Sequence, residues 1–167
     1  NPETPVFEMN ATDLNNGDVK TIPGVGSQLD VFARFNLSQI SGQQMKFGLR
    51  MFVNPDDSSD YHEIPIEIAT DGTAWIYHSN STFTMYDEDE GILDLRVLVD
   101  RSVTETFIQG GRFSHSDWHC PPNYAKIDEM NIAVFNDGPT VHLENLVVFN
   151  LETANDRPSG NSTRQRL

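Results

Sequence analysis

Apolar residues alternate with polar ones over most of the chain, at the period of two that a half-buried β-strand requires. Leu29, Val31, Ala33, Phe35 and Leu37 share one parity, with Asp30, Arg34 and Asn36 on the other. Phe47, Leu49, Met51 and Val53 repeat the pattern, as do Ile64, Ile66 and Ile68. Two further runs, Leu93 to Val99 and Thr104 to Ile108, are joined by Asp100-Arg101-Ser102, a connection of hairpin length. A last long strand over 141–151 places Val141, Leu143, Val147, Phe149 and Leu151 together. No window carries an apolar stripe at i, i+3, i+4 and i+7, so the expected fold is all-β, a two-sheet antiparallel β-sandwich.

The punctuation between these runs agrees with that class. Pro23-Gly24, Asn54-Pro55-Asp56-Asp57, Asp71-Gly72, Gly110-Gly111 and Asn136-Asp137-Gly138-Pro139 are turn-forming clusters at sandwich spacing. Pro65 lies within an alternating run and, lacking an N–H, places that strand at a sheet edge. The pattern stops after Thr153. The expected organisation is one sandwich domain over residues 1–154 and a flexible polar tail over 155–167.

Charge narrows the partners. With 25 acidic and 11 basic residues in 167, the formal charge of −14 opposes nucleic acid and anionic membrane surfaces. The acidic run Asp87-Glu88-Asp89-Glu90 falls at a turn and lacks the spacing of a calcium loop, so it is read as solvated surface. A single cysteine, Cys120, leaves no intramolecular disulfide and is read as a small buried apolar residue. Four sequons, at Asn10, Asn36, Asn80 and Asn161, are glycosylation candidates and favour a secreted, extracellular protein. The start at Asn1-Pro2 without methionine suggests that an upstream segment is removed.

The stretch LDLRVLVDRSVTETFIQGGR, from Leu93 to Arg112, resembles the signature hairpin of the C-terminal β-sandwich of family 32 glycoside hydrolases, the invertases and fructan hydrolases. QLDVFARFNL (28–37), KFGLRMFV (46–53) and Asn131 to Leu151, with its closing strand HLENLVVFNL, fit that module in the same order. The resemblance implies a non-catalytic module. In that family the active site lies on a separate N-terminal propeller, in W-x-N-D-P-N-G, R-D-P and E-C segments, none of which occurs here. It also implies structural or propeller-contacting roles for Asp100 and Glu105 in the hairpin, rather than catalysis.

Two groups of residues carry candidate chemistry. His115, Asp117 and His119 alternate in RFSHSDWHCPP and would present two imidazoles and a carboxylate on one strand face, a donor set able to bind zinc or copper. Histidines two apart more commonly just face water, and no metal or other cofactor is expected. Trp75 and Tyr77 share a face in Thr73-Ala-Trp-Ile-Tyr-His78 and could stack on sugar rings, although such residues more commonly belong to the core or cap its edge. The leading expectation is a structural domain that docks to a propeller or to copies of itself through one sheet face. The alternatives are a carbohydrate-binding module or lectin, and a piece of a secreted β-fructofuranosidase.

Overall fold

The structure is a computed structural model that describes residues 4–38, 42–76, 82–121 and 124–151. Among the described residues thirteen strands succeed one another: β1 (Phe7–Met9), β2 (Thr12–Leu14), β3 (Asp18–Ile22), β4 (Gln28–Asn36), β5 (Met45–Val53), β6 (His62–Ile68) and β7 (Ala74–Ile76), then β8 (Thr82–Phe83), β9 (Ile92–Asp100), β10 (Val103–Ile108), β11 (Phe113–Trp118), β12 (Asn131–Asn136) and β13 (Val141–Asn150). They form two antiparallel sheets. The seven-stranded sheet A runs β1-β13-β4-β9-β10-β11, with β2 also pairing with β13, and the six-stranded sheet B runs β3-β12-β5-β6-β7-β8.

The two inner faces interdigitate as the alternation requires. Leu29, Val31, Ala33 and Phe35 of β4 and Leu93, Leu95, Val97 and Val99 of β9 are buried against Phe47, Leu49 and Met51 of β5 and Ile64 and Ile66 of β6. Phe35 meets Phe47 edge to face at 4.8 Å, which ties the centre of one sheet to the centre of the other. The hairpin between β9 and β10 closes in two residues, Arg101 and Ser102, with Asp100 opposite Val103.

Three expectations are corrected. The strand containing Pro65 is interior to sheet B, between β5 and β7; proline is tolerated because the described β7 ladder reaches only Ile66–Ile68, leaving position 65 just beyond it. Cys120 is exposed, since it follows the end of edge strand β11 and falls on the outward parity. The third concerns β13. Its ladder with β4 shifts register between Leu143 and Asn145, a β-bulge that inserts one residue. Val141 and Leu143 enter the core before the bulge and Leu146 and Val148 after it, so Val147 and Phe149 turn to the opposite face. A one-residue slip inverts every side chain beyond it. The expected tail, 155–167, lies outside the described residues.

Candidate functional site

The bulge in β13 determines what the outer face of sheet A presents. Val147 and Phe149 of β13 join Phe32 of β4, Leu98 of β9 and Phe107 of β10 on that face, and together they border a concavity of about 770 Å³. Phe32 and Phe149 pack edge to face, with ring centroids 6.1 Å apart. Phe32 is still 37% exposed.

Charged side chains cross the same trough in closed pairs. Arg34 donates from Nε and Nη2 to the two carboxylate oxygens of Asp94, at 2.7 and 3.1 Å. Arg96 grips Asp30 in the same bidentate manner, at 2.9 and 2.7 Å, and its guanidinium lies 4.9 Å from the Phe32 ring centre. Each carboxylate holds its arginine still more firmly protonated than usual, through the hydrogen bonds first and charge second. Gly110 and Gly111, both at positive φ after β10, lie on the border, and at Gly110 nothing lies within 4 Å of where a Cβ would sit. These glycines serve the turn geometry expected at that strand exit and leave the backbone approachable.

Sheet B differs. Phe135 of β12 also points outward yet is fully buried, because Arg50 lies 4.6 Å from its ring centre and 4.4 Å from that of Tyr61. Lys46 and Arg50 pair with Glu63, at 2.6 and 3.1 Å, and complete a charged lid over the aromatic ring. Sheet B therefore covers the aromatic ring on its outer face, whereas sheet A leaves its trough open.

The expected site residues are distributed as follows. Trp75 lies on the outer face of sheet B, half-buried, and its indole N–H donates to Glu67 at 3.0 Å, which engages its polar group within the protein. Tyr77, Asn80 and Asn161 lie outside the described residues. Asn10 is exposed between β1 and β2, while the Asn36 amide donates to Glu144 at 3.2 Å and its oxygen accepts from Ser38. His115, Asp117 and His119 do share one half-buried face, the parity on which Phe113 packs against the core. There they meet His62, which the sequence reading passed over. His62 Nε2 lies 3.5 Å from Asp117, and its ring stacks on His119 at 5.2 Å, with Phe52 on His119 at 5.8 Å. Burial pushes the His62 pKa below its ordinary value, with His119 and His115 acting in the same direction and Asp117 opposing. Among the described residues no group of three or more His, Cys, Asp or Glu is arranged to hold a metal ion.

The acidic turn is more than solvated surface. Asp89 is only 7% exposed and accepts two hydrogen bonds from Arg112, at 2.8 and 2.6 Å, which hold its carboxyl well below the usual range. This pair fastens the turn at 87–89 to the start of β11. At the other end of β11, Trp118 and its register partner Val103 are 66% and 40% exposed.

Sequence reading missed Phe32 and Trp118 and placed Phe149 on the core face. Phe32 gave a signal, since it is an aromatic at an outward position between Asp30 and Arg34.

Fold and ladder together define a two-sheet antiparallel β-sandwich, and the comparisons say which family it belongs to. The family model for the C-terminal domain of family 32 glycosyl hydrolases matches residues 7–150, and the chain belongs to that family. Fructan 1-exohydrolase IIa from Cichorium intybus superposes with a TM-score of 0.74 at 19% identity, over 89% of this chain and 35% of that one. Exo-inulinase from Aspergillus awamori gives 0.68 at 13%, over 90% and 30%. Fructofuranosidase from Schwanniomyces occidentalis, solved with fructose, gives 0.54 at 16%, over 90% and 34%. No curated protein matches. The chain thus spans about a third of the length of these solved relatives, all of it in the sandwich.

Proposed function

We propose that this domain is a non-catalytic interaction module, extracellular, that docks to a catalytic propeller of the family 32 kind. The single observation that carries this is the Trp118–Val103 pair on edge strand β11 and its neighbour β10. A tryptophan two-thirds exposed beside an exposed valine is an apolar anchor without a cover, and tryptophan is the residue type most enriched where interfaces concentrate their binding energy. The match to a C-terminal domain alone supports the non-catalytic part of the reading. The four sequons support secretion, and among the described residues no helix is long and apolar enough to cross a membrane.

The test is binding of the 167-residue chain to a family 32 propeller prepared without its own sandwich, followed by calorimetry and by sugar release from sucrose, inulin and levan. A complex is expected, with Trp118→Ser weakening it by about 2 kcal/mol, the usual scale of a truncated interface anchor. The chain alone is expected to release no sugar. Hydrolysis by the pure chain, abolished by a point substitution within it, refutes the non-catalytic reading. Undiminished binding by Trp118→Ser refutes the docking edge.

A further inference from the structure

The trough on the outer face of sheet A has the size and chemistry of a small-ligand site, and it does not depend on the docking role of the Trp118 edge. We propose that it binds a short neutral oligosaccharide. Its volume of about 770 Å³ falls within the range of small-molecule pockets, roughly 300–1,000 Å³, and it is a concavity rather than the flat surface typical of protein contacts.

The lining selects the ligand by two demands that must be met together. Phe32, Phe107 and Phe149 offer apolar ring surface, which favours burial of C–H groups. Beside them lie the Arg34–Asp94 and Arg96–Asp30 pairs, whose remaining hydrogen-bonding capacity must stay satisfied when water leaves. A lipid chain meets the first demand and strips water from the ion pairs without replacing it. A strongly polar ion meets the second and leaves the phenylalanines in water. A sugar ring has apolar C–H faces and a rim of hydroxyls, each able to accept from an arginine N–H and donate to a carboxylate.

Charge and backbone point the same way. Each arginine that lines the trough is matched by a carboxylate, and the whole chain carries −14, so a neutral ligand is favoured over an anionic one. Asn145, brought onto the border by the bulge, adds an exposed amide that can donate and accept. At Gly110 the absence of a side chain lets a ligand approach the main chain. Trp75, the residue type that first suggests sugar stacking, is on the other sheet with its N–H already committed to Glu67.

Nuclear magnetic resonance shift mapping on the full chain, with sucrose and maltotriose as probes, tests the proposal. At millimolar sugar, at least one probe is expected to shift the amides of Phe32, Arg96, Gly110 and Gly111 in a saturable way. Phe32→Ala is expected to weaken that binding about tenfold, the loss of one ring contact. Because Phe32 also packs on Phe149, Arg34→Met serves as a second variant that removes donors from an exposed position and leaves the rings in place; it is expected to weaken binding as well. Four results overturn the proposal: no saturable shift with either sugar, shifts centred on Trp75 instead, full affinity in both folded variants, or a concentration-dependent dimer that buries the trough and is lost in Phe32→Ala without any sugar response.

Discussion

Asn136 is fully buried at the corner where β12 of sheet B leads into β13 of sheet A, and its replacement by alanine should cost more than any exposed substitution. Its amide donates to the carbonyls of Leu14 and Pro139, both at 2.8 Å, and more weakly to that of Gly138 at 3.3 Å. Its oxygen accepts the Gly138 N–H at 3.1 Å. One side chain therefore satisfies the end of β2 and the turn before β13 at once. Alanine leaves those main-chain groups buried without their partner, at about 1–3 kcal/mol for each group that water cannot reach. Allowing for partial relaxation, a total of about 3 kcal/mol follows, or a fall in Tm of about 6–12 °C for a domain of this size. Asn136→Asp sharpens the test. It keeps the shape but turns an oxygen toward carbonyls that need a donor, so at neutral pH it should be less stable than alanine, and it should recover as acid protonates the buried carboxyl. Thermal and urea unfolding of both variants across pH measure this directly. An alanine variant within about 0.5 kcal/mol of the parent, or an aspartate variant more stable than alanine at neutral pH, would refute the keystone role.

The remaining predictions concern the histidine edge and the backbone. Because burial lowers the folded-state pKa of His62, the unfolded chain binds its proton first as pH falls; the associated stability is present above the ordinary imidazole value of 6.5 and is lost below it, toward the folded-state pKa. Urea unfolding between neutral and mildly acidic pH should show this slope, and His62→Phe should flatten it; an unchanged slope contradicts the assignment. Gly48 sits mid-strand in β5 at φ +151, where an added Cβ would overlap the Ile64 carbonyl oxygen. Gly48→Ala should therefore destabilise by about 3 kcal/mol or more, while Gly17→Ala, at φ +84 with open space around it, should cost only about 1 kcal/mol. Equal melting temperatures for the two variants would refute the distinction.

The strands of the core were legible in the chain because a half-buried ladder imposes period-two alternation locally. Leu29 to Phe35, Phe47 to Met51 and Leu93 to Val99 each declare their buried face within a few residues. The hairpin at Arg101-Ser102 was legible for the same local reason, as were the turn glycines at 110 and 111. What the alternation could not reveal is where a ladder slips. The bulge before Asn145 depends on how β13 pairs with β4, more than a hundred residues earlier, and it alone moves Phe149 from the expected core to the trough. The meeting of His62 with Asp117 and His119 likewise joins an inner strand of one sheet to the edge of the other. Phe135 shows the converse, an outward side chain buried by a charged lid that only the packing of Arg50 and Lys46 creates. Parity along one strand is a local property of the backbone; register between strands, and cover over an outer face, are decided by residues distant in the chain, so only the tertiary structure could place the trough and its lining.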